Sequence, residues 1–468
     1  MNKSTGALIF YGFVFLLLLI FGVDLFDKVW SFPSFSPVPL LIIALLGTGI
    51  YTTIKLKFPQ LRYLKHGIKV TKGDYDDPNE EGDLNHFQAL TTALSATVGI
   101  GNIAGVATAI YYGGPGALFW MWITALFGSA LKFAECTLAV HYRDFDSKGM
   151  TAGGPMYTIE KGLGAKYKWL AIVFAGFTII CSFATGNAVQ SNTLSLQIYS
   201  EISQIIGTEH FLTIQHELFN SYSVSILQVI NGIIIAGIAG LVIIGGIKRI
   251  GSVTSFLAPF MAAVYVFAAL LILFANFSEI PSSFSTILQM AFNPPAVIGG
   301  TAGGTFLVFM NTMLYGIMRG LYSNEAGQGS APIAHSTAKT NYPVREGVVA
   351  LLEPFIDTII ICTLTGLAII STGAWHYTEF YSTRIDPSFS DTLLNGSVLT
   401  SEAFRIGLSW IFPFGDKIIS LGVLLFAIST VISWSFYGDR ATEYLFGEKG
   451  IPIYRVAYII FVFIGAIS

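Results

Sequence analysis

Residues 87–116 read FQALTTALSATVGIGNIAGVATAIYYGGPG. The stretch is long and apolar enough for a bilayer core, which takes about 20 residues, yet Gly99, Gly101 and Gly105 surround Asn102 at its centre. Glycine costs about 1 kcal/mol of helix propensity at each position, so the pattern predicts a helix that unwinds at mid-depth. An unwound turn survives there only where it is buried in protein or lines a polar cavity. Its N–H groups can then hold an anion and its carbonyls a cation. The plainer reading of the same glycines is close helix packing through small residues.

Apolar runs of this length recur along the whole chain. Of its 468 residues 53% are hydrophobic and 11% charged, against about 25% charged in a soluble domain, which excludes a soluble globular protein. Eleven runs are candidate spans, at 6–26, 38–56, 87–112, 115–141, 168–198, 223–247, 252–276, 297–320, 347–372, 415–437 and 451–468. The first follows Lys3 and reads as an uncleaved helix or a signal peptide; no small-residue cleavage site follows it, which favours the helix. Lys and Arg gather after the second, fourth, sixth, eighth and tenth runs, for example Lys55, Lys57, Arg62, Arg143, Lys148, Lys248, Arg249, Arg345 and Arg440. Positive residues stay on the cytoplasmic side, so the amino terminus is expected inside. The acidic stretch from Asp74 to Asp83 reads as a solvated linker. A net charge of −3 supplies no basic surface for nucleic acid, and no feature calls for an obligate protein partner. Cys136, Cys181 and Cys362 are too dispersed for a CxxC motif and read as small buried side chains.

The eighth run is also glycine-rich, at Gly299, Gly300, Gly303 and Gly304, and it is the fifth helix after the first interrupted one. Two five-helix units would then each open on a broken helix, and an odd number of spans per unit inverts their orientation. Interrupted segments at matching places in inverted halves point to the midplane site of a secondary transporter.

The text from Phe87 to Arg143 resembles the sodium:alanine symporter family, also called alanine or glycine:cation symporters. So do GGPMYTIEKGLG (Gly153 to Gly164), GNAVQSN (Gly186 to Asn192), RGLYSNEAGQGSAPIAHSTAKT (Arg319 to Thr340) and FIDTIIICTLTGL (Phe355 to Leu367). The resemblance implies an all-α polytopic membrane protein of the leucine-transporter-like 5+5 inverted repeat, with broken first and sixth core helices. Residues 1–85 would hold N-terminal helices and a cytoplasmic linker, 86–276 the first repeat and 297–468 the second. It implies Na⁺-coupled symport of alanine or glycine into the cell across a prokaryotic plasma membrane; the alternatives are a proton-coupled amino-acid transporter of the same fold and an inactive truncated family member. Family members continue for about two further helices, so the second repeat is expected to lack the end of its fourth helix and all of its fifth.

By the same resemblance, Val98, Gly99, Ile100 and Gly101 present N–H groups to the substrate carboxylate with Asn102 beside them. Gln190 faces the substrate, Thr430 and Trp434 close the pocket, and Gly303, Gly304, Thr305 and Phe309 serve from the second broken helix. Thr430 and Trp434, four apart, share one helical face; Trp434 alternatively sits in an interfacial belt. A hard cation needs oxygen ligands, and the resemblance implies a leucine-transporter-like Na⁺ site made of the Ser95 and Val98 carbonyls with the Ser429 and Thr430 hydroxyls. Ser and Thr in membrane helices also bond their own i−4 carbonyls.

Intramembrane charges are functional candidates by default. Glu135 with Lys132, Glu353 with Asp357, Arg319 and Glu325 are expected as structural ion pairs or gate contacts. No HExxH or GxSxG motif supports an enzyme, and GIGNIAG lacks the spacing and βαβ setting of a dinucleotide fingerprint.

Overall fold

The computed structural model describes residues 40–219, 222–295, 302–411 and 413–468, so the first expected span lies outside the described residues. Among them, seven helices are long and apolar enough to cross a membrane, or eight when one bent pair is taken as a single span. The chain is an all-α polytopic membrane protein.

In chain order the elements that matter are α1 (Leu40–Lys55), the amphipathic α2 (Leu64–Thr71), α3 (His86–Thr97), α4 (Gly101–Gly113) and α5 (Ala117–His141). They are followed by α6 (Ala165–Ile206), α7 (Ile226–Ile243), α8 (Gly246–Ala275), α9 (Ala302–Asn324) and the short α10 (Ala331–His335). The last are α11 (Pro343–Ser371), α12 (Gly396–Leu408), α13 (Gly415–Phe446) and α14 (Glu448–Ile467). Two antiparallel hairpins, Asp144–Phe145 with Thr151–Ala152 and Gln215–Phe219 with Tyr222–Ser225, lie in the connections.

The first interrupted helix breaks where its glycines predict. A capping box starts it: Asn85 Oδ1 accepts the Gln88 N–H at 2.8 Å, and Gln88 Oε1 accepts the Asn85 N–H at 3.2 Å, which satisfies two otherwise orphaned donors. Val98 then turns extended, at φ −74° and ψ 93°, and α4 leaves at 53° to α3.

The second expected interruption does not fall at Gly303 and Gly304. Gly303 and Gly304 lie inside the first turn of an unbroken α9, and Gly299 and Gly300 lie outside the described residues. The helix ends at Asn324, where Glu325 takes φ 53°, and residues 325–330 form a turn before α10. Gly327 and Gly329, at φ 78° and 80°, supply the left-handed backbone that side chains resist. The glycines at the helix start tolerate helix geometry; those at its end require another geometry.

Close approach explains a different pair. A Cβ on Gly316 would stand 2.3 Å from the Ala117 carbonyl oxygen, and one on Gly320 2.1 Å from Thr124 Oγ1, so α9 rests its Gly-xxx-Gly stripe on the α5 backbone. Gly320→Leu should therefore force α5 and α9 apart and destabilise the protein by about 1–3 kcal/mol, read as a lowered thermal midpoint in detergent. An unchanged midpoint would show that the contact is loose.

The acidic connection after α2 is solvated only in part. Residues 74–79 are exposed, but Arg345 Nη1 pairs with Glu80 at 3.2 Å, the Asp83 carboxylate accepts the Thr151 N–H at 2.9 Å, and Arg143 donates to the carbonyls of Glu81, Ser336, Ala338 and Thr340. The linker thus folds back and fastens residues 81–85 to residues 336–340.

Candidate functional site

The turn between α3 and α4 is held from within. Asn102 Oδ1 accepts the Gly99 N–H at 2.9 Å, and the Asn102 N–H donates to the Gly99 carbonyl at 3.2 Å. The Asn102 amide nitrogen donates outward, to Asp357 Oδ1 at 2.5 Å and Ser323 Oγ at 3.1 Å. The Asp357 carboxylate also accepts from Ser323 at 2.8 Å and Thr358 at 2.7 Å. Asn102, Ser323, Asp357 and Thr358 are all fully buried. A carboxylate there would cost several kcal/mol without donors, and α4, α9 and α11 supply three hydroxyl or amide donors.

The opposite side of the turn is built of oxygen. The Ser95 carbonyl accepts the Ser429 hydroxyl at 3.3 Å and the Thr430 hydroxyl at 3.2 Å. Both hydroxyls also reach back to the Phe426 carbonyl, at 2.8 and 2.9 Å, the local bonding expected of Ser and Thr in such helices. Each is thus shared between its own helix and α3. Ser95 Oγ is buried with no partner among the described residues. A Cβ on Gly99 would stand 2.9 Å from Thr430 Oγ1, so glycine at this position lets the turn lie directly on α13. The structure brings Ser95, Val98, Gly99, Gly101, Asn102, Ser429 and Thr430 together.

One turn further along α13, Trp434 is 9% exposed, so its ring packs inside the protein. It covers Gly186, where a Cβ would fall 2.5 Å from its own Cβ, and meets Tyr437 edge-on at 5.2 Å. Gly186 lies in the wide turn Ala184–Ala188 that interrupts α6, and Gln190 follows it by four residues. Gln190 Nε2 donates to the Thr185 carbonyl at 3.2 Å, while its buried Oε1 has no partner among the described residues. Such an oxygen can accept a bond from a bound ammonium.

The helix expected to be the second broken one, α9, contributes different residues from those expected. Phe309 is half-buried against Trp120 and Phe306, at ring distances of 5.9 and 6.4 Å, and is not brought to the turn. Tyr322 and Ser323 are: a Cβ on Gly101 would meet Tyr322 Cδ1 at 3.4 Å and Ser323 Cα at 3.6 Å. The fourteen helix steps from Phe309 to Ser323 span roughly 21 Å. The break falls at Glu325, so the end of α9 is level with the turn. The side chain of Thr305 lies outside the described residues.

The intramembrane charges also pair differently from their spacing. Lys132 bonds Glu353 at 3.0 Å instead of Glu135, Glu135 accepts the Gly327 N–H at 3.4 Å, and Glu325 accepts from Ser330 at 2.5 Å. Asp357 turns away from Glu353 to Asn102. Ser323 carried no charge, glycine pattern or family role to single it out; Asp357 was visible as an intramembrane carboxylate, but no spacing links it to Asn102. A mostly apolar cavity of about 720 Å³ runs along α3, between α8 and α11, from Lys72 and Asp76 to Val98.

A family model described as the sodium:alanine symporter family matches residues 25–468. The sodium/alanine symporter AgcS of Methanococcus maripaludis is 41% identical over 446 residues, 95% of this chain and 89% of that protein. The amino-acid carrier protein AlsT of Bacillus subtilis is 33% identical over 444 residues, 95% of this chain and 84% of that one.

Proposed function

The chain belongs to the sodium:alanine symporter family, and on that premise we propose that it carries alanine or glycine into a prokaryotic cell across the plasma membrane, coupled to Na⁺. The single observation that carries the proposal is the convergence of the Ser429 and Thr430 hydroxyls on the Ser95 carbonyl beside Gly99. Rotation of the two hydroxyl hydrogens turns this set into three oxygen ligands for a hard cation; the Val98 carbonyl is the fourth in our reading. The substrate carboxylate would lie at the Gly99–Gly101 turn, whose helix-end dipoles favour an anion, and the substrate ammonium would take Gln190 Oε1. Trp434, filling the space beyond a Cβ methyl, would admit alanine and glycine and exclude branched side chains. The amino terminus is cytoplasmic in this reading, and residues 86–276 and 297–468 are the two inverted units. Phe309 keeps no part in the proposed pocket; Tyr322 and Ser323 take its place.

The decisive experiment is uptake of labelled alanine into proteoliposomes under an imposed Na⁺ or H⁺ gradient. Uptake should need external Na⁺ and should persist when the proton gradient is collapsed. Uptake that ignores Na⁺ and follows the proton gradient would replace Na⁺ by H⁺ as the coupling ion, and the buried Asp357 carboxyl would then be the first group to test.

A further inference from the structure

Away from the turn, five buried ionisable side chains form an unbroken hydrogen-bonded line. Lys132 Nζ on α5 lies 3.0 Å from Glu353 Oε2 on α11. Glu353 Oε1 lies 2.6 Å from His335 Nε2 on α10, whose Nδ1 lies 2.5 Å from Glu346 Oε1, also on α11. The other Glu346 oxygen bonds His86 Nδ1, in the first residue of α3. All five side chains have no solvent exposure. His86 Nε2, at the end of the line, has no partner among the described residues.

A neutral imidazole offers one N–H and one bare nitrogen. His335 has a carboxylate oxygen on each nitrogen, so both nitrogens donate while Glu346 and Glu353 are ionised. Burial opposes that charge, but Glu353 and Glu346 outweigh it and push the His335 pKa up to about 9. Lys132 and His335 then balance Glu353 and Glu346, and His86 is the member whose proton changes the net charge. Removing a proton from Lys132 or His335 takes away a cation that balances the carboxylates; His86 Nε2 can gain or release one without breaking a bond. The charged groups facing His86 are Glu346 and Arg345 from α11 and Asp76 from the connection after α2. Those facing the other end are Lys132, Glu135 and Cys136 on α5, with Glu325 beyond α9.

We infer that this line is a proton-binding site separate from the groups around the Gly99 turn, that His86 Nε2 is its exchanging atom, and that the proton held there tightens the start of α3 against α11. Glu346 is a carboxylate in either state, so protonation of His86 turns a bond from a neutral imidazole into an ion pair in which both partners are charged, and strengthens it. The same helix start is tied to the neighbouring connection by the Asp83 and Leu84 N–H groups donating to the Thr337 carbonyl, at 2.8 and 3.1 Å. It leads along α3 to Val98 and the turn. Rocking of one inverted unit against the other about a midplane site would move α3 against α11, so acid holds the arrangement seen here and rising pH releases it. The inference rests on the transporter reading for its consequence, but not for the site.

Two measurements on the intact protein separate these. Nitrogen-15 NMR of histidine-labelled protein, scanned from about pH 5.5 to 9, should show one Nε2 signal, missing from His86→Gln, that titrates once and, despite its burial, above an ordinary imidazole because Glu346 lies beside it, with both His335 nitrogens still protonated at neutral pH. A His86 signal that does not move over that range overturns the site. Alanine counterflow at equal pH on both faces should rise roughly fivefold from pH 6 to 8, as the His86–Glu346 ion pair gives way to a bond from a neutral imidazole. His86→Gln, which still donates to Glu346 but cannot titrate, should flatten the profile. A wild-type profile in His86→Gln overturns the link to α3. Absence of counterflow in every sample counts against the transporter reading, and the ring-nitrogen titration then decides the site alone.

Discussion

Asp357→Asn should lower the initial rate of alanine uptake at least ~100-fold without changing the amount of folded protein, as judged by size exclusion in detergent. The carboxylate accepts from Asn102, Ser323 and Thr358, and an amide in its place offers one acceptor oxygen and an NH₂ turned toward donors. Hydrogen bonds to a charged group contribute about 1.5–3 kcal/mol each, and a hundredfold in rate corresponds to about 2.7 kcal/mol, so weakening two of the three is enough. The route from this loss to transport is short. Asn102 holds Asp357 with its amide nitrogen and Gly99 with its amide oxygen, and loss of the first contact frees the side chain that shapes the turn. If Asp357→Asn kept a third or more of the wild-type rate, the carboxylate would not be what orders the turn.

The largest loss of stability is expected at Lys132. Its ammonium is fully buried on Glu353 at 3.0 Å, and Lys132→Met leaves that carboxylate in the interior with only His335 as counter-charge. Breaking a buried pair by removing one partner costs about 3–5 kcal/mol, whereas replacing both partners by uncharged residues is often neutral. Thermal or denaturant unfolding in detergent should therefore show Lys132→Met strongly destabilised, and Lys132→Met with Glu353→Gln should recover more than half of the loss. A double variant no better than the single one would mean that packing, and not charge, accounts for the effect.

The membrane-spanning helices are legible in the sequence because each is a local property of some twenty residues, and hydropathy averages over that length. Ala117–His141 and Gly246–Ala275 follow the apolar runs with modest shifts at their ends. The break after Val98 is legible too, since several glycines cluster on one polar side chain. Gly303 and Gly304 mislead by the same logic. Propensity says where a helix is weak, while packing decides whether it stays wound, and α9 is held by its contact with α5 through Gly316 and Gly320.

The glycines at 99 and 101 stand out in the amino-acid sequence by residue type and spacing alone, whereas Ser95, Ser429 and Thr430 are singled out by the family resemblance. What only the tertiary structure decided is which distant side chains meet them. Asp357 lies 255 residues from Asn102, and Glu346 lies 260 residues from His86. No periodicity connects such positions, because hydrogen bonds of about 3 Å depend on the angle at which whole helices cross. A helix rotated by one residue, about 100°, would point each of these groups elsewhere while leaving composition, hydropathy and motif unchanged.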